Sequence, residues 1–100
     1  MSSLTMAASH ALGQEEALRR LKQKFSVIRD AYRAQVSELH EQWRENTLSF
    51  AFKVVGMKIA GTVTVGASQV ELAAELPLGA MLFKGLIERQ VRAELGNLLA

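Results

Sequence analysis

From Leu48 to Leu76 apolar and polar residues alternate with a period of two, the repeat of strands whose successive side chains point to opposite faces. Leu48, Phe50, Phe52 and Val54 form one apolar set, Met57, Ile59, Gly61, Val63 and Val65 a second, and Val70, Leu72, Ala74 and Leu76 a third. The intervening positions hold Ser49, Lys53, Lys58, Thr62, Thr64, Gln69, Glu71 and Glu75. Such a pattern predicts an antiparallel sheet packed on one face and wet on the other. Arg44-Glu45-Asn46, Gly56 and Gly66-Ala67-Ser68 are turn signals, so the strands follow one another as hairpins in a meander.

A sheet with one greasy face needs a cover, and helical periodicity on both sides of it supplies two. Ala17, Leu18, Leu21, Phe25, Ile28 and Tyr32 recur at three- and four-residue steps from Gln14 onward. Gly13 reads as the N-cap, Glu16 as a capping-box acid and Leu12 as a staple. After Pro77, a residue suited to a helix start, Phe83, Ile87, Val91, Leu95 and Leu98 form a second stripe in a helix from about Leu78 to Leu98. The expected fold is α+β, an antiparallel sheet of three to four strands with an N-terminal and a C-terminal helix on one face. Residues 1–9, rich in Ser and Ala, read as a flexible tail, and 10–100 as the single domain.

Two readings compete between the first helix and the sheet. The helical spacing continues through Val36, Leu39 and Trp43, while Ser37, Leu39, Glu41 and Trp43 also fit one face of a strand. No glycine or proline marks a break there, and periodicity alone leaves both open.

Chemistry is sparsely represented. There is no cysteine, so disulfides and thiolate sites are excluded, and the two imidazoles, His10 and His40, lie in no ligand spacing. Neither a metal site nor a cofactor is expected. No G-x-S-x-G element surrounds a serine, and Glu71 and Glu75 share a wet strand face, so the chain does not read as an enzyme. An enzyme would need a cleft bringing His10 or His40 beside Ser49, Ser68 or an acid. The formal charge of +2 arises from 12 basic and 10 acidic residues and names no partner. Arg19, Arg20, Lys22 and Lys24 could meet phosphate, yet Glu15 and Glu16 stand beside them and no GxxG loop accompanies them, so no nucleic acid is expected. Phe50 and Phe52 fall in the same alternation as the other inward positions and read as core, and Trp43 reads as a packing anchor. The N-terminus lacks the basic start and apolar run of a secretory signal, and no apolar run would span a bilayer, which gives a cytoplasmic expectation without a transmembrane segment.

One feature exceeds what a core needs. Leu78, Ala80, Met81, Leu82 and Phe83 surround nearly the whole start of the last helix, and Leu86 extends the surplus. Leu78, Met81, Leu82, Phe83 and Leu86 are therefore the candidate binding patch, with the tail or the first helix as the alternative cover. Gly85 within that helix suggests close approach of another backbone, and self-association through the patch is expected.

His10-Ala-Leu-Gly13, Glu16-Ala17 with Arg20, Trp43 with Asn46-Thr-Leu-Ser-Phe50, Gly61-Thr-Val-Thr-Val65, Val70-Glu-Leu72, Leu76-Pro77, Phe83-Lys-Gly85 and Ile87-Glu88 follow one another in an order that resembles the small polyhydroxyalkanoic acid system family of bacterial proteins. The resemblance implies a strand from about Val36 to Trp43. It also implies a setting, the storage-polyester granule with its apolar polymer and protein coat inside the cytoplasm, but no reaction. On that basis the expected role is non-enzymatic, binding the granule surface or granule proteins through the patch. The alternative is a small carrier of an apolar or acyl ligand held between the sheet and the C-terminal helix, which requires a cavity there.

Overall fold

The computed structural model describes residues 2–100 as β1 (Ser2–Ser9), α1 (Gln14–Ala31), β2 (Val36–Arg44), β3 (Thr47–Val54), β4 (Met57–Val65), β5 (Gln69–Leu76), a 3₁₀ segment (Leu78–Phe83) and α2 (Lys84–Leu99). The sheet is antiparallel throughout, in the order β1-β5-β4-β3-β2. Its register pairs Leu48 with Val63, Phe52 with Ile59, and Val63 with Leu72, so the three apolar sets share one face. The α+β meander covered by two helices is the architecture expected.

The first correction concerns the N-terminus. Apart from Met1, which lies outside the described residues, the expected tail is an edge strand running beside β5 from Ser2↔Leu76 to Ser9↔Gln69. Leu4 faces Ala74 and Met6 faces Leu72, and both are buried. Two large side chains set opposite a small alanine and a leucine fill the inner face, while backbone pairing covers an edge of β5 that would otherwise be open.

The second finding settles the boundary after α1. The helix stops at Tyr32, whose carbonyl receives the amides of Gln35 and Val36, so the chain reverses without a glycine and β2 is a strand. A bulge near Glu38, with φ of 51°, shifts the register between Ser37 and His40. It puts Ser37 opposite Lys53 on the outer face, correcting its placement with Leu39, Glu41 and Trp43. Lys53 reaches Glu38 at 2.8 Å and, by that hydrogen bond, holds its carboxyl below the ordinary value.

The third correction is at Pro77. The expected uninterrupted helix begins instead as a 3₁₀ segment, with the amide of Ala80 bonded to the carbonyl of Pro77 at 2.9 Å. No side chain caps this start, and the tight winding buries Ala80 while turning larger neighbours outward.

The core gathers at one end of the molecule. Ala17 and Leu21 of α1 and Leu95 and Leu99 of α2 enclose Leu48, Val65 and Val70 of the sheet. The helices run antiparallel and are fastened there: Arg20 donates to the carbonyls of Leu98 and Ala100, and Lys24 meets Glu94 at 3.3 Å. Gly13 is the N-cap of α1 as expected. Glu16, rather than closing a capping box, accepts from Arg19 and Arg20, hydrogen bonds that lower its pKa from 4.5 to about 2.

Candidate apolar surface and groove

The molecule has two unlike ends. One carries the β2–β3 and β4–β5 turns, the start of α1 and the end of α2, held by a polar web. There Gln14 and Asn46 side chains both donate to the carbonyl of Val65, and His10 Nε2 bonds the carbonyl of Gly66 at 3.1 Å while its Nδ1 accepts the amide of Leu12. Those two bonds fix the Nε2-protonated tautomer and occupy both ring nitrogens in a local turn.

The other end carries the β3–β4 hairpin, the end of α1 and the 3₁₀ segment. All the exposed large apolar side chains among the described residues lie in this half. Leu78 is 80% exposed, Leu82 88%, Phe83 57% and Leu86 50%, whereas Met81 is half-buried. The structure thus brings the five candidate residues together but turns Met81 partly inward.

Sequence reasoning missed the partner of this patch. Val55 at the hairpin tip is 89% exposed. It has φ of 49° and Gly56 has φ of 76°, so the two form a turn with both central residues left-handed. That conformation suits Asn or Gly and strains a β-branched residue. Next to the tip, Met57 faces Gly79 of the 3₁₀ segment, where an added Cβ would sit 3.8 Å from its sulfur. Hairpin tip and 3₁₀ segment therefore form one surface. Around Gly85, by contrast, an added Cβ would meet nothing within 4 Å, so no neighbouring backbone of this chain explains that glycine.

Beside this surface α1 rises from the sheet. Its early residues Ala17 and Leu21 are buried, but Ile28 and Tyr32 are exposed. The space between is a groove of about 530 Å³, walled by Phe25 and Ile28 of α1, Tyr32 at its C-cap, Val36 and Leu39 of β2, and Phe50, Phe52 and Val54 of β3. A second space of about 320 Å³ shares Phe25, Ile28 and Phe50 as walls and is lined on its other side by Val91 and Leu95 of α2. The larger groove thus lies under the first helix rather than the C-terminal one. Phe25 stands edge-on to Trp43 at 6.3 Å and 6.5 Å from Phe50, which in turn stacks on Phe52. Trp43 anchors the edge strand, with Lys22 over its ring at 5.4 Å.

The remaining candidates are dispersed. Arg19 and Arg20 are held by Glu16, Lys22 by Trp43 and Lys24 by Glu94. His40 and Ser49 line the same outer-face depression, with no hydrogen bond between them among the described residues. No group of three or more His, Asp or Glu among the described residues could hold a metal ion, and no helix there is long and apolar enough to cross a membrane.

No curated protein and no solved structure matches the chain. One family model does, over residues 4–99, under the description "putative polyhydroxyalkanoic acid system protein".

Proposed function

The chain belongs to the polyhydroxyalkanoic acid system family, and from that membership we propose a non-enzymatic cytoplasmic protein that attaches to the storage-polyester granule, its surface or its coat proteins, through its apolar end. The observation carrying this reading is the confinement of exposed large apolar side chains to one half of the molecule. An apolar surface so concentrated costs solubility unless something covers it. Val55 adds weight, because a strained apolar residue at a solvent-facing tip has no value to folding. Without a granule, the same end is the contact through which copies self-associate.

Co-sedimentation with bare polyester particles and with protein-coated granules tests this. Leu78→Glu combined with Leu82→Glu alters two exposed positions, so folding is retained. The wild-type chain is expected to sediment with one of the two preparations and the double variant to lose about tenfold in affinity, since two charges must then be moved from water to an apolar phase. Equal sedimentation of both chains, or of neither, contradicts the proposal.

A second reading, a small acyl carrier, is supported by the groove, whose volume of about 530 Å³ lies within the range of about 300 to 1,000 Å³ common for small-molecule sites.

A further inference from the structure

We propose that the groove under α1 is a binding site for one medium-length aliphatic chain bearing a carboxylate, with Arg29 as the residue that receives the head group. This rests on the carrier reading and adds to it the ligand's chemistry and orientation.

One charge sits where the sheet's pattern is otherwise apolar. Among the described inward-facing positions of the sheet, Glu41 is the one ionisable residue, sitting opposite Phe50 where the pattern calls for an apolar side chain. Arg29 of α1 meets it across the groove, with Nη1 at 3.2 and 3.3 Å from the two carboxylate oxygens. The pair sits at the solvent-open side of the groove, its side chains 42% and 21% accessible, and an ion pair so exposed adds little to stability. Its presence there points to recognition of a polar group.

The pair is also loosely made. Both contacts exceed the usual charge-assisted length of about 2.8 Å, the third, from Nη2 to Ser26 Oγ, is 3.4 Å, and Nε has no hydrogen-bond partner among the described residues. Arg29 therefore retains donors for the bidentate bonding that a carboxylate offers. Arg33 lines the same space, bonded outward to Asp30 at 2.9 Å. Arg33 is thus neutralised by Asp30, and the preference for an anionic head over a cationic one comes from the unused donors of Arg29. Beyond the head, the aromatic and branched walls admit only an apolar tail.

Decanoate, decanol and decylammonium, titrated below their aggregation concentrations into the full chain, test this, with binding read from the methyl resonances of Val36, Leu39 and Val54. Decanoate is expected to bind about tenfold more tightly than decanol, and decylammonium most weakly. Arg29→Gln should bring decanoate to the level of decanol while leaving decanol unchanged, and Glu41→Gln, by removing the competing carboxylate, should tighten decanoate. If decanol and decanoate bind alike in wild type and Arg29→Gln, the head-group assignment is overturned and the carrier reading stands. If none of the three binds, the carrier reading itself falls, and signals confined to Leu78, Leu82 and Leu86 would overturn the assignment in favour of the outer patch.

Discussion

Val55 separates the demands of folding from those of attachment. Its left-handed backbone costs a β-branched residue about 1 to 2 kcal/mol, and its side chain contacts mostly solvent. Val55→Asn should therefore raise stability by about 1 kcal/mol, measured by urea unfolding, because Asn tolerates the type I′ position. The same variant should sediment less with granules. A destabilised variant with unchanged attachment would mean that the valine serves the fold. At this scale the sequence is uneven in what it reveals. Gly61 was legible as an inward position, and the structure adds why it is glycine: a Cβ would crowd the Ala73 carbonyl and lie 2.9 Å from both Ala74 Cα and Phe50 Cζ. Gly56 marked the turn, yet nothing in the spacing revealed that its neighbour's side chain would project into solvent.

The elements show where periodicity suffices and where it fails. Strands β3, β4 and β5 were legible because each repeats the alternation over eight or nine residues. β1 was not, since among Ser, Thr and Ala only Leu4 and Met6 carry apolar bulk, and the strand is specified by the open edge of β5. Leu4→Ala accordingly should cost about 2 to 5 kcal/mol, the range for emptying a buried leucine site, as read by thermal or urea unfolding. A loss under about 0.5 kcal/mol, the range of ordinary surface substitutions, would return these residues to the status of a tail. The end of α1 was ambiguous for a different reason. Tyr32 accepts the amides of both Gln35 and Val36, a reversal made by backbone hydrogen bonds without glycine or proline, and the Glu38 bulge then resets the strand's phase.

Across the whole molecule the exposed large apolar side chains gather at one end, which also carries the ion pairs Lys53–Glu38, Arg29–Glu41 and Arg33–Asp30, while the bonds that join helices to turns lie at the other. Arg20, Lys24, His10, Gln14 and Asn46 tie the helices and turns together at one end, while Val55, Leu78 and Leu82 face outward at the other. The surplus at Leu78 to Leu86 was legible because one sheet cannot bury every side of a helix start. The groove was not, since it depends on how far α1 stands from β2 and β3, a distance that no residue pattern encodes. That the apolar end is the attachment surface is tested most directly by amide hydrogen exchange of the protein bound to polyester particles, compared with the free chain. Slowed exchange is expected at the Val55–Gly56 turn and from Leu78 to Leu86, with the turns at Glu45–Asn46 and Gly66–Ser68 unchanged. Slowing at those two turns, with Leu78 to Leu86 unaffected, would contradict attachment through the apolar end.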